Sequence, residues 1–435
     1  MTWKTTDAWG WGRVYRTRGE FARPERASAL DRIAADSPCP AIGQRRSYAD
    51  ACLNSHGRTV LTDRLDRILS FDPDTGVLDA EAGCQLSEIV RLFAPRGWLP
   101  TVLPGTGFAT VGGAIGMDVH GKNHHHAGSF GQHVASLTLH QPDGRSEVHP
   151  GEPLFEATVG GIGQTGPIGS ARLQMQRIKG PVMMVTERRV PDLDTYLSLL
   201  DVSEAPYTVG WIDATASGAS LGRGILEEAE NGAGLVPPAK RGRTVPFDAP
   251  PFALAGTVVR GFNAAYYRRI PERGRTVVKP MEDFFFPLDK IYDWNRLYGK
   301  RGFHQFQCVV PLAERDVLRD MLAAVAASGL ASPLAVLKRM GPGRAGMMSF
   351  PAEGYTLAID FPAREEAPGM IRRLIAMADE AGGRVYLAKD AFAQPEQMDR
   401  MYPDRVAWAE LVNARDPEGA YETDLVRRLA LRTIQ

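Results

Sequence analysis

Side chains that could take up a proton or hold a charge are concentrated in two short segments. Residues 118–126, Asp-Val-His-Gly-Lys-Asn-His-His-His, hold four of the nine histidines of the chain. A metal site needs ligands that converge on one point, and neighbouring residues of an extended segment face opposite ways. We therefore expect no metal here but a polar loop that lines a pocket, with His120 facing inward.

The second segment, Tyr386-Leu387-Ala388-Lys389-Asp390, follows Gly382-Gly383. Lys389 would stand at a strand end, where a lysine is usually a solvated surface charge. A charged or basic group inside a site is the alternative, and this segment alone does not decide between the two.

A loop that could bind an anion is indicated at residues 43–50, Gly-Gln-Arg-Arg-Ser-Tyr-Ala-Asp. Glycine and small polar residues between strands let backbone N–H groups converge on a negatively charged group such as a diphosphate. The alternative is an ordinary turn, because short loops of glycine and serine are common.

A second glycine-rich stretch runs from Leu103-Pro104-Gly105-Thr106 to Thr110-Val111-Gly112-Gly113-Ala114-Ile115-Gly116. Glycines let the backbone approach a bulky ligand closely. A glycine-rich surface loop is the alternative. The apolar residues Val111, Ala114 and Ile115 favour burial, so we expect a ligand loop.

A third pattern, Gly161-Ile162-Gly163-Gln164-Thr165-Gly166, matches the G-x-G-x-x-G fingerprint of dinucleotide sites. That fingerprint requires a strand before it and a helix after it. Residues 152–157 predict a helix before it, and the alternation of residues 168–175 predicts a strand after it. Because the order is reversed, we reject a Rossmann NAD site.

The elements that must position these loops alternate between strands and helices, which predicts an α+β or α/β arrangement. The predicted strands are residues 59–62, 77–83, 283–286 and 303–310. The predicted helices are residues 86–93, 314–327 and 370–381. Residues 216–250 are rich in Gly, Ala, Pro and charge, and they predict a mobile, poorly packed segment.

Composition limits the function classes. The chain has 435 residues with 51 basic and 51 acidic side chains, and zero net charge gives no reason to expect nucleic acid as a partner. Its four cysteines form no C-x-x-C pair, which argues against a disulfide framework or a zinc site. We recognise neither a signal peptide nor a run of about 18 apolar residues. A cytoplasmic protein is expected, and peripheral contact with the inner membrane surface stays open.

Taken together and in this order, the loops resemble the FAD-binding half of the vanillyl-alcohol oxidase class, and within it the decaprenylphosphoryl-β-D-ribose 2'-oxidase family. The resemblance covers nearly the whole chain, and His-Gly-Lys-Asn-His-His followed by Ala-Gly-Ser-Phe-Gly is highly specific. The matching segments are residues 46–48 with Asp50, 103–106, 110–115, 120–125, 127–131, 157–161, 294–296 with 298–299, 302–303, 349–351, 360–362 and 388–390.

The resemblance implies a PCMH-type FAD-binding domain in two parts, residues 1–183 and 384–435. Between them it implies a substrate domain, residues 184–383, with an antiparallel sheet flanked by helices. Relatives that attach the flavin through this loop carry histidine before the serine, whereas this chain has Arg46 before Ser47. A guanidinium cannot form that bond, so we expect non-covalent FAD.

The resemblance also assigns roles to residues. The implied cofactor-binding residues are Gly43, Arg45, Arg46, Ser47, Tyr48, Asp50, Gly105, Thr110, Val111, Gly112, Gly113, Met117, Asp118, Val119, His120, Ile168 and Tyr386. The implied substrate-binding residues are Trp211, Tyr298, Gln305, Gln307, Lys338 and Lys389. Lys389 is expected beside the flavin, as a positive charge that stabilises the reduced cofactor. The base that takes the substrate proton stays open among Lys389, Tyr48, His120 and a water molecule.

The implied reaction is oxidation of a sugar secondary alcohol to a ketone, at the 2'-hydroxyl of a polyprenyl-phospho-ribose used for cell-envelope arabinose precursors. A short-chain dehydrogenase that reduces the keto product is the implied partner. Two alternatives stay open: a soluble aldonolactone or alditol oxidase of the same fold, and a flavin-binding protein without turnover.

The lipid part of such a substrate needs an apolar approach. Segment 216–250, with Leu221, Ile225, Leu226, Val236 and the nearby Phe252, could supply it. The alternative is a loop that touches nothing.

One departure from the family concerns residues 355–359, where the family has a cysteine and this chain has Ala358. That cysteine is not a catalytic requirement. Its replacement leaves the implied type of reaction in place and leaves the exact sugar and lipid chain open.

Overall fold

The computed structural model describes residues 2–238, 241–330 and 333–434. Within them the chain forms three large sheets, a short two-stranded ribbon and packed helices. Most neighbouring strands are antiparallel, and helices lie beside the sheets rather than alternating regularly with parallel strands. The fold is therefore of the α+β class.

The N-terminal sheet ends at the first predicted ligand loop. Its elements are β1 (Lys4–Trp9), β2 (Arg16–Ala22), α1 (Ala27–Asp36), β3 (Ala41–Ile42) and β4 (Arg58–Leu61). The strand order is β1-β2-β4-β3. Leu30 and Ile33 of α1 pack with Val60 of β4 in one buried cluster. Loop 43–50 follows β3 directly and so starts from a fixed sheet edge.

The second sheet carries the glycine-rich stretches. Its elements are β5 (Ile68–Phe71), β6 (Val77–Glu81), α2 (Leu86–Phe93), β7 (Trp98–Pro100), α3 (Val111–Gly116), α4 (His124–Ala127), β8 (Val134–Gln141), β9 (Gly144–Val148), α5 (Pro153–Thr158) and β10 (Ile168–Arg177). The strand order is β5-β6-β10-β8-β9, with β7 paired to the far end of β10. Helix α2 has the predicted bounds. Helix α5 precedes residues 161–166 and strand β10 follows them, so the reversed order is confirmed.

The third sheet has eight strands. Its region contains β11 (Val182–Val190), α6 (Leu193–Val202), β12 (Tyr207–Ile212), β13 (Gly224–Gly232), β14 (Arg243–Thr244), α7 (Gly256–Arg268), β15 (Arg275–Pro280), α8 (Met281–Phe285), β16 (Ile291–Tyr292), β17 (Phe303–Val310), α9 (Asp316–Ser328), β18 (Ala335–Met340), β19 (Gly354–Pro362), α10 (Ala367–Glu380) and β20 (Arg384–Val385). The strand order is β15-β11-β13-β12-β18-β19-β17-β20, and β14 and β16 form the separate ribbon. The predicted strand at 303–310 and the helices near 314–327 and 370–381 are confirmed.

Two predictions in this region are wrong. Residues 224–232 are not a mobile segment but β13, an inner strand between β11 and β12, in which Ile225 and Leu226 are buried. Leu226 therefore belongs to the interior, whereas Ile225, although buried, lines the cavity described below. The remainder of the predicted segment includes residues 239–240, which lie outside the described residues.

The predicted strand at residues 283–286 is also wrong, because its first three residues end the short helix α8. The rings of Phe284 and Phe285 lie 6.0 and 5.3 Å from the ring of Tyr207, on the neighbouring sheet. Burial of these aromatic rings against the sheet outweighs their preference for extended backbone.

The C-terminal helices pack against the N-terminal part of the chain. They are α11 (Pro395–Met401), α12 (Arg405–Arg415) and α13 (Asp424–Arg428). The indole of Trp408 donates to the carbonyl of Ala157 (3.1 Å), and the backbone N–H of Asp424 donates to the carbonyl of Leu53 (2.9 Å). None of the helices in the described residues is long and apolar enough to cross a membrane. All four cysteines are buried and free.

Candidate active site

A cavity of about 790 Å³ lies where loops of the three sheets meet. Most residues that the sequence assigned to a site line it. From the cofactor set these are Gly43, Arg45, Arg46, Ser47, Tyr48, Gly105, Thr110, Gly112, Gly113, Met117, Val119, His120, Ile168 and Tyr386. From the substrate set these are Trp211, Gln305, Gln307, Lys338 and Lys389. The cavity thus brings together residues up to 346 positions apart in the chain, from Gly43 to Lys389.

Four assigned residues do not line the cavity. Asp118 is fully buried and accepts hydrogen bonds from the backbone N–H of Gly131 (2.8 Å) and the hydroxyl of Ser349 (2.6 Å). Its carboxylate therefore holds loops together behind the wall. Val111 is likewise fully buried, in the core of the second sheet. Neither side chain lines the cavity, and the assignment of these two residues to the cofactor stays a prediction.

Asp50 and Tyr298 also lie outside the cavity lining, where they support residues that form it. Asp50 forms an ion pair with Arg428 (2.7 Å), which also pairs with Asp390 (3.0 Å). Tyr298 stacks on Phe303 with ring centroids 4.1 Å apart. Both residues were assigned to ligands, but the structure gives them supporting positions.

Loop 43–50 presents a set of free backbone donors to the cavity. Within the described residues, the backbone N–H groups of Gln44 to Ser47 have no hydrogen-bond acceptor. Arg45 has a positive φ of 50°, which turns successive N–H groups toward one side. The guanidinium of Arg46 lies between the rings of Trp11 (4.2 Å) and Phe108 (4.4 Å), and its Nε has no partner in this part of the chain.

These observations fit the diphosphate of FAD. Several unbonded backbone N–H groups and a partly unpaired, partly buried guanidinium are suited to an anion, and a diphosphate can accept from all of them. Trp11 and Phe108 were not predicted as site residues. Their role depends on contacts with a residue far along the chain, which no local motif reveals.

Helix α3 packs closely on the second sheet. The hydroxyl of Thr110 caps it by accepting from the N–H of Gly113 (3.2 Å). The N–H of Gly112 donates to the carbonyl of Ala82 (2.8 Å), and a Cβ at position 112 would lie 2.9 Å from the Cβ of Ala82. Glycine at 112 is thus needed for packing of the loop on the sheet, as well as for its place in the cavity wall.

Lys389 is held by the same framework as loop 43–50. The backbone N–H of Tyr48 donates to the carbonyl of Ala388 (2.9 Å), and Lys389 Nζ lies 3.6 Å from the centre of the Tyr48 ring. Arg428 ties the two segments together through Asp50 and Asp390. The cofactor loop and the lysine are therefore placed by one rigid set of contacts.

His120 stands at the centre of the polar wall. Gln307 Nε2 lies 3.0 Å from His120 Nε2, and the same amide donates to the hydroxyl of Thr356 (3.1 Å). Lys338 Nζ lies 3.2 Å from His120 Nδ1. Burial, and then the charge of Lys338, lowers the pKa of His120 well below its usual value. The imidazole is therefore neutral at pH 7.

Three lysines face the cavity without an acidic partner. In the described residues, no carboxylate lies within ion-pair distance of Lys122, Lys338 or Lys389. Lys122 Nζ donates to the carbonyl of Phe284 and lies 4.0 Å from the centre of its ring. Burial lowers the pKa of Lys338 and of Lys389 to about 7 and that of Lys122 to about 8. Glu227 attracts the charge of Lys122 and Asp360 attracts that of Lys389, both from beyond ion-pair distance.

Lys122 was not assigned by the sequence, although it lies in the recognised His-Gly-Lys-Asn segment. Its position two residues after His120, inside that specific segment, was the signal that could have identified it.

Asp360 is a second missed residue. Its carboxylate accepts from Tyr298 Oη (2.9 Å) and Gln305 Nε2 (2.5 Å). Burial raises its pKa to about 7, against these hydrogen bonds and the nearby charge of Lys389. The residue lies in a segment that carried the family resemblance, but a buried carboxylate under the wall is not distinguishable from a surface one in the sequence.

Comparisons with known proteins agree with this geometry. A sequence model of the FAD binding domain matches residues 24–148. The chain is 35% identical over 447 aligned positions to decaprenylphosphoryl-β-D-ribose oxidase of Mycolicibacterium smegmatis, and the match covers 97% of each protein. It is 34% identical over 370 positions to an uncharacterized protein in the mprA 5' region of Streptomyces coelicolor, covering 80% of this chain and 100% of that protein.

The fold, the cavity and these similarities define an FAD-dependent oxidoreductase of the PCMH type. Within that class, the chain belongs to the decaprenylphosphoryl-β-D-ribose oxidase family.

Proposed function

We propose that this protein oxidises the 2'-hydroxyl of a polyprenyl-phospho-ribose to a ketone. The observation that carries the proposal is that Lys338 and Lys122 line the cavity with no carboxylate of the described residues within ion-pair distance. A buried ammonium without a directly paired carboxylate is costly, and a ligand phosphate compensates that cost. A neutral alditol or aldonolactone leaves these two lysines without an anion, so the anionic sugar is favoured.

We further propose a division of labour between the two parts of the chain. Residues 1–183 and 384–435 hold FAD, and residues 184–383 hold the sugar. The division is supported by the origin of the cavity wall. Loop 43–50 and α3 supply the free N–H groups and glycines, whereas β17 and β18 supply Gln305, Gln307 and Lys338.

FAD held by loop 43–50 and α3 would supply the acceptor for the hydride of the carbinol carbon. The chain must then accept the hydroxyl proton, and the pKa directions separate the candidates. Burial raises the pKa of the Tyr48 phenol well above its usual value, so its phenolate is not available at neutral pH. His120 is neutral but a weak base, because its pKa is lowered. Lys389, with a pKa of about 7, is suited to accept a proton at neutral pH, and we assign it that role.

The substrate assignment is tested by anaerobic reduction of the purified holoenzyme. A polyprenyl-phospho-ribose is expected to bleach the flavin absorbance, whereas soluble alditols and aldonolactones leave it unchanged on the same time scale. Bleaching by a soluble polyol at a comparable rate would show that the protein is a polyol oxidase instead.

Because a ketone is the kind of substrate that a carbonyl reductase reduces, we also propose that a short-chain dehydrogenase consumes the keto product.

We propose that the FAD is held without a covalent bond. The side chain before Ser47 is the guanidinium of Arg46, held between two aromatic rings, and it offers no imidazole nitrogen for attachment to the flavin. Acid precipitation of the holoenzyme is expected to release the yellow colour into the supernatant. Colour that stays with the pellet after washing would show a covalent link.

A further inference from the structure

Charge is distributed unevenly in a chain whose net charge is zero. Between Asn231 and Pro271 the sequence has six basic residues and one acidic residue, Asp248. That single carboxylate pairs with Arg13 (2.5 Å) and so neutralises a cation from another part of the chain. The segment therefore carries a local positive charge that the rest of the molecule balances elsewhere.

The same segment exposes large apolar side chains. Phe247 and Phe252 are 68% and 72% exposed, and Val258 and Phe262 are 47% and 51% exposed. Val258, Phe262 and Ala265 follow the spacing i, i+4, i+7, so they form one stripe along the outer face of α7. Only Val259 and Asn263 of that helix are buried. An unpartnered apolar stripe of this kind marks a contact surface.

Four arginines of the described segment accompany the apolar residues. They are Arg241, Arg243, Arg260 and Arg268, and all four are exposed. We call the exposed side of residues 241–268, with these arginines and the four apolar residues, the mouth surface.

The mouth surface is continuous with the cavity. The ring of Phe262 stacks on that of Tyr266 at 5.9 Å, and Tyr266 packs on Trp211 at 4.7 Å. Tyr266 and Trp211 both line the cavity. At the start of the mouth surface, strand β14 with Arg243 pairs in parallel with strand β16, whose Ile291 also lines the cavity. A path of apolar rings therefore leads from the surface to the site.

We infer that the mouth surface binds an anionic phospholipid bilayer, from which a lipid-linked substrate enters the cavity. Apolar residues between arginines, with no acidic residue on α7, are typical of a helix that lies in a membrane interface. The positive charge disfavours a second copy of this chain on the same surface, because the arginines would repel each other. The inference rests on the proposed function for its biological meaning, but bilayer binding itself needs no turnover.

The test is co-sedimentation of the holoenzyme with vesicles of phosphatidylcholine alone or of phosphatidylcholine with phosphatidylglycerol. Binding is expected only to the anionic vesicles and is expected to weaken with added salt. Phe252→Ser/Phe262→Ser should weaken it by more than about tenfold, since two rings lose their apolar contact. Arg260→Gln/Arg268→Gln should weaken it by about fivefold per arginine.

The matched controls are Val202→Ser, at an exposed apolar residue outside the surface, and Arg373→Gln, at an exposed arginine on α10. Both should bind vesicles as the wild type does, and all variants should keep their flavin. Absence of wild-type binding, or equal binding by the mouth-surface variants, would overturn the inference. So would a concentration-dependent dimer that Phe252→Ser/Phe262→Ser abolishes, since a second copy would then be the occupant. Substrate oxidation without vesicle binding would overturn the inference while leaving the proposed function intact.

Discussion

The two ends of the cavity hold charge in different ways. At the loop 43–50 end, the positive groups are backbone N–H donors and arginines, which do not change protonation near pH 7. The second set of positive groups, which we call the lysine end although Lys389 also contacts Tyr48 of that loop, comprises Lys122, Lys338 and Lys389, whose pKa values are lowered to between about 7 and 8. Cofactor retention should therefore be insensitive to pH near neutrality, whereas substrate binding and proton transfer should depend on pH.

The largest expected effect is at the cofactor end, at Gly112. A valine there would place its Cβ 2.9 Å from the Cβ of Ala82 and would force α3 away from the second sheet. We expect Gly112→Val to lose essentially all bound FAD, measured as the ratio of flavin absorbance to protein absorbance after purification.

Two controls make this result specific. Gly369→Val introduces the same side chain on α10, where a Cβ would meet no atom within 4 Å, and it should keep FAD. Ala127→Gly, next to the histidine segment, should keep it as well. A Gly112→Val protein with wild-type flavin content would show that α3 does not form the cofactor wall.

The next effect is at the lysine end, at Lys389. Lys389→Ala removes the proposed proton acceptor, and we expect anaerobic flavin reduction by polyprenyl-phospho-ribose to slow by roughly 10²–10³-fold. FAD content should barely change, because the free N–H groups lie on another loop. Stopped-flow absorbance measures the rate.

Lys389→Arg sharpens the interpretation. Its guanidinium keeps the charge but cannot lose a proton at neutral pH, so it should be nearly as slow as alanine. A rate for Lys389→Ala within about threefold of the wild type, a barrier change of under ~1 kcal/mol, would remove Lys389 from the mechanism.

The same contrast explains what the sequence could predict. At the cofactor end, the glycine content of residues 103–116 and the loop at 43–50 were visible locally as candidate ligand loops, although FAD itself was implied only by the family resemblance. The lysine end is assembled from β17, β18 and the segment after β20. Gln305, Gln307, Lys338 and Lys389 were identified only through the family resemblance, because no local pattern shows that these strands meet.

The wrong predictions have a physical cause as well. Residues 224–232 lack a strong strand pattern, but pairing with β11 on one side and β12 on the other makes them an inner strand. The family resemblance implied that Asp118 binds the cofactor; that assignment stays a prediction, but the side chain does not line the cavity. Its backbone has a positive φ of 38°, and its carboxylate points to Ser349 on the other side of the wall. Side-chain direction at such a position depends on tertiary contacts.

The smallest expected effect concerns Lys338 and its response to pH. Burial holds the pKa of its ammonium at about 7 in the free protein, and a bound phosphate would favour the charged form. Affinity for a phosphate-bearing ligand should therefore be highest below pH 7, where Lys338 is already protonated. The affinity should fall as pH rises above 7, because binding must then take up a proton.

Lys338→Met should weaken binding of a polyprenyl phosphate about 10- to 100-fold below pH 7. It should also flatten the pH dependence, whereas the exposed-lysine control Lys4→Met should retain both properties. Binding is measured by perturbation of the flavin absorbance, which needs no turnover. A wild-type affinity that rises with pH, or an unchanged pH dependence in Lys338→Met, would show that Lys338 does not contact the anion. The contrast between the two ends of the cavity would then rest on Lys389 and Lys122 alone.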